Sequence, residues 1–168
     1  MGTKSEMLAE QFEAKAQEAA AVLEKLSDAD WKKVTEAEKW TVAAATHHLA
    51  STFEVLAGIV TGVLSGQSVG GAVVARFGDN FTLAMLDASN AAQAKEHANC
   101  TKAETIALFE KGAAAAAALL RRLSDDQLAK SGTVFADIAP MTVEQLVVGA
   151  LIAHTDDHIG SIRKTVGH

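Results

Sequence analysis

Proline is nearly absent from this sequence, with Pro140 the only one in 168 residues. Long periodic segments therefore run without the residue that most reliably ends a helix. Cysteine is equally scarce, and the lone Cys100 excludes an internal disulfide and fits a reducing, cytoplasmic compartment. Tyrosine is missing and aromatics make up only 5% of the chain, a poor supply for a β-sandwich built on aromatic and β-branched strands. No cluster of basic residues exceeds Lys32-Lys33 or Arg121-Arg122, and the formal net charge is -6, so a nucleic-acid partner is not expected. The first residues contain Glu6 and no apolar run before a small-residue cleavage site, so neither a secretory signal nor myristoylation is expected. Glu54 interrupts the apolar stretch from Leu49 to Leu64, and the run from Ala113 to Leu120 is short and bracketed by Lys111 and Arg121. Neither is expected to span a bilayer.

What is present is alanine, leucine and valine. A hydrophobic fraction of 49% supplies the core of a single domain covering residues 1–168, and the composition favours closely packed helices. Helix starts are written as hydroxyl residues three positions before a side chain that can reach back: Thr3 with Glu6, Thr101 with Glu104, Thr142 with Gln145. This capping-box spacing predicts helices over roughly 4–26, 102–123 and 143–165. A fourth begins at Thr41 and ends near Leu64, where Ser65-Gly66 stops it. Between the second and third main helices, Gly70-Gly71 and Gly78 read as breaks, and Phe81 to His97 as a further helix. Ser27 and Ser124 open two similar short capped turns after the first and third helices, too little for an internal repeat.

The chemistry-bearing feature is the pair His154 and His158. Side chains four apart on a helix stand one turn apart on the same face, so two imidazoles there can grip one ion. Taking about 100° per residue, Val143, Val147, Ala150, Leu151 and Ile162 surround the direction of His154, so both imidazoles face the interior. On the upstream helix His48 shares its direction with Ala45, Val55, Leu56, Ile59 and Val63, while its neighbour His47 turns toward Ser51, Glu54 and Gly58. His48 is thus the inward member. Two or three interior imidazoles need partners, because burying them unpaired costs on the order of a few kcal/mol. A metal is one partner; hydrogen bonds to backbone or carboxylate are the plainer alternative. With three histidine ligands a metal keeps positions open for water or substrate, as catalytic sites do. Protons are expected to compete for these nitrogens below about pH 6.

Asp157, on the flank of the histidine face, is a candidate carboxylate partner or general base, against the simpler reading of an exposed charge. Trp40 either covers the site or, more simply, packs on the first helix. Cys100 reads as a small buried thiol, His97 as a donor at a helix end, and His168 as a mobile terminal residue.

Trp40-Thr41-Val42 followed by His48-Leu49-Ala50, together with His154-x-x-x-His158-Ile159-Gly160-x-Ile162-Arg163, resembles the DinB/YfiT family of metalloenzymes, which is unrelated to the DNA polymerase sharing the DinB name. The resemblance implies an all-α four-helix bundle of up-down-down-up topology, with one divalent ion, often zinc or nickel, held by His48, His154 and His158. It further implies a small-molecule substrate and a low-molecular-weight thiol such as bacillithiol or mycothiol, since relatives include thiol-dependent transferases and a mycothiol-dependent isomerase. The doubled His47-His48 departs from the pattern. The leading expectation is a metal-dependent S-transferase or hydrolase acting on a small electrophile. A non-catalytic metal-binding sensor or stress-response bundle, dimerising through an alanine-rich helix face, is the alternative.

Overall fold

The computed structural model describes residues 3–66 and 80–167. Four main helical segments form a bundle. Helix α1 spans Lys4–Lys25, and a short α2, Asp28–Trp31, follows it; α3 spans Val42–Ser65, α4 Leu83–Glu96 and α5 Lys102–Arg121. A short α6, Asp125–Ala129, leads through the two-residue strands β1, Ser131–Gly132, and β2, Met141–Thr142, into α7, Val143–Leu146. The backbone then continues as a π-helical stretch, Val147–Ala153, into α8, His154–Val166. The strands pair antiparallel, Ser131 with Thr142 and Gly132 with Met141.

The capping chemistry explains most of these boundaries. Thr3, Ser27, Ser124 and Thr142 each close a full capping box with the side chain three residues on. Thr41 and Thr82 accept from the amides of Ala44 and Met85. Gly66 ends α3 in the left-handed conformation, φ 67°, where glycine pays no Cβ penalty. Thr101 departs from expectation: its hydroxyl bonds the Glu104 carboxylate instead of an orphan amide. The glycine breaks expected at Gly70, Gly71 and Gly78 lie outside the described residues.

Helix directions follow from which ends touch. Lys4 meets Glu144, Lys15 meets Asp156 and Glu18 meets Arg163, so α1 runs parallel to the last helix. Glu13 pairs with Arg121 at 2.5 Å, and Lys102 caps the carbonyls of Glu24 and Leu26, so α5 runs antiparallel to α1. Thr41 and Ala43 contact Ala98 and Cys100 at one end of α3, while Ala50 and Phe53 sit against Gly112 farther along. Helices α3 and α5 are therefore parallel neighbours, which requires a long connection between them, the one carrying α4. The result is the up-down-down-up bundle.

Phe12, Phe53 and Phe109 centre the core, the Phe53 ring lying 5.4 Å from that of Phe12 and 5.3 Å from that of Phe109, centroid to centroid. Gly112 makes the α3–α5 approach possible, since a Cβ there would meet Phe53 at 3.0 Å and the Ala50 carbonyl at 3.2 Å. Among the described residues α3 is the one helix long and apolar enough to cross a membrane. Its Leu49, Phe53, Leu56, Val60 and Val63 are instead buried in the core, the part played by a bundle's central helix.

Candidate metal centre

Helices α3 and α8 run antiparallel and bring His48, His154 and His158 together. One ring nitrogen of each lies within 4.8 Å of those of the others, and Nε2 of His48 is 3.1 Å from Nε2 of His154. Nitrogen ligands about 2.0–2.1 Å from a tetrahedral ion stand about 3.3 Å apart. The two nitrogens are thus spaced as ligands sharing one ion would be, so the residues fit such a group. His154 and His158 occupy the first turn and a half of α8, where regular helix resumes after the π-helical stretch. Such stretches are rare and concentrate at functional sites.

Burial holds the cluster neutral. Desolvation, reinforced by the neighbouring His158 and outweighing Glu38, lowers the pKa of His48 to about 4. Desolvation, with His158 and His48 adding to it, lowers that of His154 to about 3. His158 is lowered as well, by burial, against the opposing pull of Glu38. Neutral imidazoles are the form that binds metal.

Glu38, not anticipated from the sequence, approaches the cluster from the loop between α2 and α3. Its Oε1 lies 3.0 Å from Nδ1 of His158, at hydrogen-bond length but out of line, and among the described residues this buried nitrogen has no aligned partner. Glu38 Oε2 accepts from the Ser161 hydroxyl at 2.7 Å. Burial works against the Glu38 carboxylate, but bonds from Thr35, Ser161 and its own amide, with an electrostatic attraction to the His158 ring, outweigh it and leave its pKa below the ordinary value. Backbone pairing shapes the loop that carries it. Val34 bridges Thr41, the Thr35 amide donates to the Trp40 carbonyl at 2.8 Å, and Lys39 takes the left-handed conformation at φ 61°.

Asp157, the acidic candidate read from the sequence, takes the simpler of its two readings, an exposed charge. It is exposed and reaches His158 only weakly, through its charge, because its position on α8 turns it outward. Trp40 departs from the simpler expectation of packing on the first helix. Its ring lies edge-on to His48, centroids 5.3 Å apart, and nearly parallel to His158 at 6.4 Å. His47 stands apart from the cluster and stacks on His97, the C-cap of α4, at 3.5 Å. Cys100 is half-buried, its thiol donating to the Ala43 carbonyl and accepting from Thr105. Burial raises its pKa, the opposite of an activated nucleophile.

Bundle topology and a three-imidazole cluster between its second and last helices define a class of helical proteins with a candidate metal centre. Residues 11–162 match the DinB superfamily, and the chain belongs to it. Among solved structures it is similar to a mycothiol-dependent maleylpyruvate isomerase, with TM-score 0.72, 12% identity, 96% of this chain covered and 63% of that one. It is also similar to YfiT from Bacillus subtilis, described as a probable metal-dependent hydrolase with an unusual four-helix bundle topology. There the TM-score is 0.69 and the identity 18%, with 99% of this chain and 91% of that one covered. At such identities the likeness establishes the fold. The chain spans less than two thirds of the isomerase's length. No curated protein matches by sequence.

Proposed function

We propose that this protein is a divalent-metal-dependent enzyme in which His48, His154 and His158 hold the ion, zinc or nickel, and that it transfers a low-molecular-weight thiol to a small electrophile. The observation that carries this reading is the 3.1 Å approach of two Nε2 atoms from different helices, with a third imidazole beside them and no carboxylate among the cluster's own members. Such an ion, when bound, supplies Lewis acidity that makes a thiol or water nucleophilic near neutral pH. Three neutral ligands leave its positive charge uncompensated, which favours an anionic partner. The Trp40 ring lies beside His48 and His158, and Glu38 faces the back of His158. A mycothiol-dependent isomerase and a probable metal-dependent hydrolase among the structural relatives support a site that takes a thiol or water, with hydrolysis as the same site's reaction with water. The single half-buried Cys100 and the use of a thiol co-substrate both fit a reducing cytoplasmic setting.

The test has two stages. Protein purified without chelator, after zinc or nickel supplementation, is expected to carry about one ion per chain, measured by elemental analysis; an ion-free protein under both conditions would return the histidines to ordinary core residues. Loaded protein is then incubated with bacillithiol, mycothiol, glutathione or coenzyme A and a small electrophile, and conjugates are followed by mass spectrometry. Faster thioether formation than by His158→Ala, with helical content preserved, is the expected result. A loaded protein no faster than the variant with any thiol would favour a non-catalytic metal-binding bundle.

A further inference from the structure

From the loop before α3 we infer a positioning residue: Glu38 accepts the Nδ1 proton of His158 and so commits this imidazole to offering Nε2 to the ion. The inference rests on the metal-centre reading above. A histidine ring has two nitrogens and, when neutral, one proton, and whichever nitrogen keeps the proton cannot ligate. His154 and His158 come from one helix, so the ring that must be oriented without help from a second element is decided by what stands behind it. Behind His158 stands Glu38, its Oε1 3.0 Å from Nδ1, and the nitrogen is buried with no aligned alternative among the described residues. The Glu38 oxygen is the near acceptor for that nitrogen, at hydrogen-bond length, and the inferred bond requires the ring to turn so that its N–H aligns with it.

Glu38 is itself held in place. Its second oxygen accepts from Ser161 at 2.7 Å. Ser161 lies three residues beyond His158, on the same face of α8, so one carboxylate spans two positions of that helix. From the other side, the left-handed turn at Lys39 and the paired Thr35 amide and Trp40 carbonyl fix the loop that delivers it. Carboxylates placed behind a ligating histidine orient the ring and raise its basicity. The carboxylate side chain is 15% exposed, so water competes little for its oxygens.

The test compares the native protein with Glu38→Gln, Glu38→Ala and Ser161→Ala. Zinc affinity is measured by competition with a chromophoric chelator, and the His158 tautomer by nitrogen NMR on metal-free protein, with circular dichroism as a check on folding. Native metal-free protein is expected to carry the His158 proton on Nδ1. Glu38→Ala is expected to bind zinc about 10–100-fold more weakly and to lose the tautomer preference. Glu38→Gln, which keeps an acceptor oxygen, is expected to retain the tautomer and most of the affinity, and Ser161→Ala to fall between. A His158 proton on Nε2 in the native protein, or Glu38→Ala binding zinc as tightly as native, overturns the inference. If native protein binds no zinc or nickel, the metal-centre reading fails on its own, while the metal-free tautomer still decides for or against Glu38.

Discussion

His47 and His48 are neighbours in the chain yet meet different surroundings, one stacked on His97, the other inside the cluster. His48→Ala is expected to weaken zinc binding at least tenfold by calorimetry, and His47→Ala to leave it nearly unchanged. The reverse order would place the ion elsewhere. The cluster also has a pH consequence. In the metal-free folded protein His48 and His154 stay neutral down to about pH 4 and 3, whereas an unfolded imidazole protonates near 6.5. Below about pH 6.5 the unfolded chain therefore binds more protons than the folded one, so stability is highest above that pH and is lost as pH falls toward 4. By pH 5 the loss is on the order of 1–2 kcal/mol per histidine, before most carboxylates titrate. Urea unfolding of metal-free protein at pH 7.5, 6 and 5 measures it, and His48→Gln should flatten the dependence. Proton competition with the ion likewise begins below the pH 6 expected for ordinary imidazoles.

At the scale of the elements, glycines separate packing from propensity. Gly112 lies where α5 meets α3, and a methyl there would press on Phe53 and the Ala50 carbonyl; Gly160, within α8, would place one in open space. Gly160→Ala is expected to stabilise by up to about 1 kcal/mol, and Gly112→Ala to destabilise by about 1–2 kcal/mol after its own helix gain is subtracted. Thermal unfolding of both variants checks the pair. The helices themselves were readable because their starts carry hydroxyl caps at Thr3, Thr41 and Thr142, and because the apolar phase turns His48 and His154 inward; Val55, read on the same face as His48, is nevertheless 43% exposed. The π-helical stretch was not, since Val147 to Ala153 is apolar on every side and carries no residue that marks the change of hydrogen bonding. Glu38 was hidden for another reason. It sits in the charged run Thr35-Glu36-Ala37-Glu38-Lys39, which reads as solvated loop, and only the left-handed turn at Lys39 brings it onto α8. Asp157 could be considered at all because helical periodicity can be counted, whereas a loop's path cannot.

For the molecule as a whole, the candidate centre ties α3 to α8 through residues 106 positions apart. An ion bound there is absent from the unfolded chain, so saturating zinc at about 100 times its Kd is expected to add about 2.7 kcal/mol. For 168 residues that is a rise in Tm of roughly 5–10 °C. Scanning fluorimetry should show the rise in native protein and its loss in His158→Ala; an equal rise in both would assign the stabilisation to surface binding. The parallel course of the first and last helices has a further consequence. Because Lys4 stands beside Glu144 while Glu18 stands beside Arg163, Thr3 and Gly167 lie at opposite ends of the bundle, about 33 Å apart along the 22-residue α1 at helical rise. Joining them for a circular permutant would take a linker of about ten extended residues, and two copies fused in tandem through a short joint would lie end to end, their histidine clusters spaced along a rod and not facing each other.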